Sequence, residues 1–194
     1  MTEPVTLRQL TGLPDAPAAL SDSTLVMIDC QNTYTEGVLE LENVQPALDA
    51  AATLLDRARR AGTPIVHIMH DAGVGTPYDV TADIGQIVDR VAPQGDEKVI
   101  VKNFPNSFVG TDLDDTLKAL GQDKLVLAGF MTHMCINSSA RGAFSLGYQP
   151  TVVASATATR RLPDAAASAL QVASLAAISD LFGVVAPDVA SIPD

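Results

Sequence analysis

Cys135, Asp29 and Lys102 together supply a nucleophile, a proton acceptor and a cation. A cysteine attacks a carbonyl carbon as its thiolate. It therefore needs a group to take its proton and a positive environment to hold the charge. Asp29 suits the first task and Lys102 the second. Cys135 lies in Gly129-Phe-Met-Thr-His-Met-Cys135, between the apolar run Lys124–Ala128 and a helical stretch from Ile136 to Leu146 closed by Gly147. A thiol at that junction meets the unpaired N–H groups and positive dipole end of a helix's first turn, which favour the thiolate. Lowering its pKa from about 8.5 to about 6 takes roughly 3.4 kcal/mol, within reach of one ammonium and a helix end that are partly desolvated. Backbone N–H groups of the Gly129–Cys135 turn can hold the oxyanion of a tetrahedral intermediate.

The elements that must position these groups follow from apolar patterning. Short apolar runs at Thr24–Asp29, Pro64–Met69, Lys98–Val101, Lys124–Ala128, Gln149–Ala154 and Gly183–Ala186 read as strands. Between them, Val44, Ala47, Leu48, Ala51, Leu54, Leu55 and Ala58 mark one face of a helix over Val44–Ala61, with Asn43 as its N-cap and Gly62 at its end. Leu113, Leu117 and Leu120 mark a second helix ended by Gly121. Ala167, Leu170, Ser174, Ala177, Ile178 and Leu181 mark a third, rich in small residues. Strands alternating with amphipathic helices imply a parallel sheet covered on both faces. Ligands of such sheets bind beyond the carboxyl ends of the strands, where Asp29, Lys102 and Cys135 all fall. The stretch from Asp71 to Glu97, rich in Gly, Pro and Asp, is expected to act as a lid or an oligomer contact, with a short helix near Ile84–Val91. The tail Pro187–Asp194 reads as loosely held.

Composition narrows the class. The 194 residues, 47% hydrophobic and 18% charged, suit one globular domain with a full core. A net charge of −11 argues against a nucleic-acid partner, which calls for basic surface. No apolar run is long enough to span a bilayer, and Met1-Thr-Glu-Pro-Val does not read as a signal peptide. The two cysteines are therefore expected to be reduced thiols of a cytoplasmic protein with no membrane partner.

Taken together, Val26-Met-Ile-Asp29-Cys-Gln-Asn32, Val101-Lys102 with Ser107-Phe108-Val-Gly-Thr111, and Gly129-Phe-Met-Thr132-His-Met-Cys135 with Ala140-Arg141 resemble the isochorismatase-like cysteine hydrolases, over about residues 22–186. The resemblance implies a three-layer α/β/α, Rossmann-like domain over 1–194 with a six-stranded parallel sheet in the order 3-2-1-4-5-6. It implies Asp29 as general base and acid, Lys102 as electrostatic partner and Cys135 as nucleophile. It also implies a cis peptide between Phe130 and Met131 that turns the amides of Met131 and Cys135 toward the oxyanion. The reaction implied is hydrolysis of a C–N bond in an amide, lactam or ureido compound through a thioester, in a homodimer or homotetramer without cofactor. Members that cleave isochorismate lack the cysteine, so Cys135 points away from that activity and toward a streptothricin-hydrolase-like or other small-amide specificity. Nicotinamidases carry an Asp-x-His metal motif where this chain has Val66-His-Ile-Met-His70-Asp71.

Other residues have plainer readings. His67 and His70, three apart on a strand, point to opposite faces and do not share a metal, so no metal site is expected. Cys30 alternates away from Asp29 and is expected to pack in the core. Ser107, Ser138 and Ser139 read as structural. Gln31, Tyr34, His70, Phe104, Phe108 and His133 are candidates to line a substrate pocket, and His133 is an alternative base. Two other functions stay open: a non-catalytic small-molecule-binding module, and a redox sensor using Cys135.

Overall fold

The computed structural model describes residues 4–194. Its strands are β1 (Thr24–Ile28), β2 (Ile65–His70), β3 (Lys98–Lys102), β4 (Lys124–Phe130), β5 (Gln149–Ala158) and β6 (Val184–Ala186). Its helices are α1 (Leu7–Thr11), α2 (Val44–Ala61), α3 (Leu113–Leu120), α4 (Asn137–Ser145) and α5 (Ala167–Ala177). All strand pairs are parallel, in the order β3-β2-β1-β4-β5-β6. Side chains of a strand alternate between faces, and in β1 both faces are buried. Leu25 and Met27 pack with Leu48, Leu54 and Leu55 of α2. Val26 and Ile28 pack with Leu113 and Leu117 of α3 and Ala140 and Ala143 of α4. Two apolar layers therefore clamp the sheet, and the central β1 and β4 are buried along almost their whole length.

β1 and β4 approach so closely that Gly129, paired with Ile28, has no room for a side chain. A Cβ there would lie 1.9 Å from the Ile28 carbonyl oxygen, and the backbone at Gly129 has φ +119°. Only glycine fits both demands.

Four expectations need correction. Asn43 does not cap α2 through its side chain; it takes a left-handed conformation with φ 62°. The stretch near Ile84–Val91 forms two 3₁₀ turns, Asp83–Gly85 and Asp89–Val91, and no α-helix. The tail is packed: Val189 and Ile192 are buried, Leu20 N–H donates to the Pro193 carbonyl, and Arg57 pairs with Asp194. Strands β4 and β5 run past their expected ends to Phe130 and Ala158, with a register shift between Leu127 and Gly129. Among the described residues, no helix is long and apolar enough to cross a membrane.

Candidate active site

The two strands at the centre and one at the edge deliver their last residues to one point. Asp29 follows β1 directly, in a left-handed conformation with φ 50°. Such a backbone is uncommon outside glycine, although aspartate adopts it more readily than most residues. Lys102 ends β3 on the far side of β2, and its four-carbon stem spans the gap. Its Nζ lies 2.7 Å from Asp29 Oδ2, 3.4 Å from Cys135 Sγ and 3.2 Å from His70 Nδ1. Cys135 sits in a π-helical turn, Thr132–Ile136, that leads without a break into α4. Met134 and Ile136 N–H groups both donate to the Met131 carbonyl, and the Phe130–Met131 peptide is cis. Asp29 and Lys102 are 0% exposed and Cys135 is 5% exposed.

Burial governs the electrostatics. It raises the Asp29 carboxyl above its ordinary range, against the opposing pull of Lys102. It also pushes the Cys135 thiol up to about 12, helped by the Asp29 carboxylate and opposed by Lys102. The expectation of a thiol depressed to about 6 is therefore overturned. The loss of water around the sulfur is the largest cause of the rise. The resting arrangement is a protonated thiol beside a buried carboxylate–ammonium pair. Because burial has made Asp29 a stronger base than an exposed aspartate, it is suited to receive the thiol proton. Moving that proton transfers the negative charge to a sulfur that already faces the Lys102 ammonium.

The expected pocket residues separate into groups. His70 joins the cluster through Lys102. His133, half-buried, bonds through Nδ1 to Thr159 Oγ1, and burial together with the Arg160 charge lowers its pKa. Gln31 is fully buried and serves as a clamp: it exchanges two 2.9 Å hydrogen bonds with the backbone of His70 and donates to the Gly85 carbonyl. Tyr34 is a core residue, its ring packed edge-on against Phe130 and Tyr78. Phe108 stacks on Tyr148, 5.9 Å between centroids, on the α3–α4 face. Phe104 is 54% exposed. Phe108 packs on the same apolar layer that contains Cys135.

Cys30 is buried in the α2-side core, and Cys135 in the core of the opposite face. His67 faces Glu97 at 2.9 Å, away from His70. Ser107 and Ser139 bond to each other inside the fold. A cleft of about 590 Å³ between Arg59, Pro64, Lys98 and Thr116 lies at the opposite end of the strands and contains none of the cluster. Sequence reasoning missed Tyr78, whose ring meets His70 edge-on at 4.8 Å. It also missed Arg160. Both lie outside the apolar runs that drew attention.

This geometry has a counterpart among known proteins. The family model of the isochorismatase domain matches residues 23–186. The chain belongs to the isochorismatase family. It is an isochorismatase-family hydrolase whose curated relatives include the secreted isochorismatase effector Isc1 of Verticillium dahliae, 35% identical over 91% of this chain and 93% of the relative. They also include the maleamate amidohydrolase of Pseudomonas putida, 33% identical over 66% of this chain and 68% of that protein. The crystal structure of an isochorismatase from Pseudomonas putida superposes with a TM-score of 0.93 at 38% identity, covering 97% of this hydrolase and 99% of that chain.

Proposed function

We propose that this isochorismatase-family hydrolase cleaves a C–N bond of a small amide, lactam or ureido compound through a thioester on Cys135. The reading rests on one observation: a single buried ammonium, Lys102, stands 2.7 Å from Asp29 and 3.4 Å from the Cys135 thiol. Similarity to a maleamate amidohydrolase supports the amide class. In the first half-reaction the Cys135 proton passes to Asp29 as sulfur attacks the carbonyl carbon. The resulting oxyanion is held by the N–H groups of Met131 and Cys135. Collapse breaks the C–N bond, and Asp29 returns the proton to the departing nitrogen. In the second, Asp29 takes a proton from water as the water oxygen attacks the thioester. The acid departs and the thiol is restored. Because the resting thiol is protonated, substrate binding and proton transfer are coupled, and Lys102 stabilises the negative charge on either partner.

The redox-sensor reading loses ground, since Cys30 lies on the other face of the sheet and the resting thiol is held protonated. The exposed face of α5, with Ala169, Val172 and Ala173, offers apolar surface to a second copy. A homodimer or homotetramer in the cytoplasm, with both thiols reduced, belongs to the proposal. The test is a panel of small amides, lactams and ureido acids, followed by release of ammonia or amine and by intact mass. The expected result is turnover of at least one compound with a transient acyl adduct on Cys135. Binding without release, unchanged in Cys135→Ala, would favour the non-catalytic module.

Arg160 narrows the substrate. It makes no ion pair among the described residues. Its Nε is buried without a hydrogen-bond partner, and its charge acts on His133, two residues from the nucleophile. A substrate carboxylate would find its counter-charge there. Arg160→Gln is expected to raise KM for an amide acid such as maleamate by about tenfold, the worth of a charge-assisted hydrogen bond. An uncharged amide of equal length should change by less than about twofold. Equal effects on both would remove Arg160 from substrate recognition.

A further inference from the structure

The Lys102 ammonium has three N–H donors and three acceptors around it. Two of these, Asp29 Oδ2 and Cys135 Sγ, are used by the proposed reaction. The third, His70 Nδ1 at 3.2 Å, is not. We infer that His70 is a positioning residue: its Nδ1 accepts a hydrogen bond from the third N–H of Lys102, so that the other two are aimed at Asp29 and Cys135. This inference rests on the catalytic reading of that group given above.

The surroundings of His70 suit such a task. Its backbone is paired in register with Lys102 across β2 and β3. The buried Gln31 amide holds its N–H and carbonyl by two hydrogen bonds of 2.9 Å. Its ring rests edge-on against Tyr78, whose hydroxyl lies 3.2 Å from that of Tyr34. An ammonium only donates, so the facing Nδ1 is unprotonated and the ring proton resides on Nε2. Burial, and then Lys102, lower the His70 pKa and keep the ring neutral, the only state in which Nδ1 can accept. Without that acceptor, one N–H of a fully buried cation would have no partner. Lys102 would then turn to find one, at the expense of its 3.4 Å contact with sulfur.

The test is the rate of Cys135 alkylation by iodoacetamide in the full-length protein, read by peptide mass spectrometry with Cys30 as internal reference. His70→Phe keeps a ring against Tyr78 but removes the nitrogen, and His70→Leu replaces it if phenylalanine disturbs the fold. His70→Asn restores an acceptor close to the position of Nδ1. Lys102→Met shows whether the lysine governs the thiol at all. We expect Lys102→Met and His70→Phe each to slow alkylation about tenfold, equivalent to one unit of thiol pKa. His70→Asn should return to within about threefold of the wild-type rate. Slow alkylation in Lys102→Met with a wild-type rate in folded His70→Phe would overturn the role of His70 and leave the catalytic reading intact. His70→Asn as slow as His70→Phe would equally overturn it, since shape and not the acceptor would then be at work. A wild-type rate in Lys102→Met would overturn the catalytic reading, and the inference with it.

Discussion

Replacing Cys135 with alanine is expected to lower amide hydrolysis by at least about 10⁴-fold, with the melting temperature within a few degrees of wild type. The size of the effect follows from covalent catalysis. Without sulfur there is no thioester, and Asp29 would have to direct water at an intact amide. The small effect on stability follows from the site: alanine removes one sulfur atom beside the apolar Ile136 and Ala140 and the long 3.4 Å contact to Lys102, while Lys102 keeps its ion pair with Asp29 and its bond to His70. Steady-state release of ammonia and calorimetry on the same preparation settle the point. Turnover that persists in Cys135→Ala would exclude the thioester route. It would mean that Asp29 directs water at the amide carbonyl with no covalent intermediate.

The second large effect is on stability. Lys102 and Asp29 form an ion pair 2.7 Å long in which both side chains are fully buried. Removing one member of such a pair strands the other charge away from water and costs about 3–5 kcal/mol. Lys102→Met should therefore lower the melting temperature by about 10 °C, and it should also abolish turnover. The double variant Asp29→Asn/Lys102→Met carries no stranded charge and should recover most of the loss while remaining inactive. The sign of the pH dependence follows from Asp29. Its folded pKa already lies above the unfolded value, and losing the ammonium removes the pull that opposed burial. The stability gained by protonating it is full below the unfolded pKa and is lost as the pH rises through the folded one. The deficit of Lys102→Met should thus shrink on acidification, and thermal melts across a pH series would read it. A deficit that stays constant with pH would mean that the cost comes from packing and not from charge.

The parts of the fold that were legible are those in which one residue type does one job. The limits of α2 could be read because its buried positions recur at helical spacing and Gly62 ends it in a left-handed conformation. The placing of Asp29, Lys102 and Cys135 at strand ends was legible because each closes or follows a short apolar run. What depends on three-dimensional surroundings was not. The direction of the Cys135 pKa is set by how many apolar groups surround the sulfur, and no local motif carries that number. The bond between His70 and Lys102 depends on β2 and β3 pairing at those two residues. The stacking of Phe108 on Tyr148, which lies beyond α4 in the chain, likewise depends on elements distant in sequence. Arg160 escaped notice because the extension of β5 past Ala154 has no apolar signature of its own: Ser155 and Thr157 interrupt it, and Arg160 lies just past its end.

The stretch between β2 and β3 is fastened in separate places. At its start, Gln31 grips the backbone of His70. Further on, Gly85 and Val88 are tied to Gln31 and Cys30. At its end, Glu97 is bonded to Arg59 and His67. Between the first two fastenings, Ala72 to Gly75 are exposed, and the loop there is held largely by its own Asp79, which bonds to Gly75 and Thr81. Within residues 72–82, Tyr78 and Val80 pack against the core, and the Tyr78 ring meets the cluster edge-on at His70. Exchange of the exposed Ala72 to Gly75 with Tyr78 kept against His70 is therefore expected to leave the Asp29–Lys102–Cys135 geometry in place, which makes that turn the natural place to graft diversity.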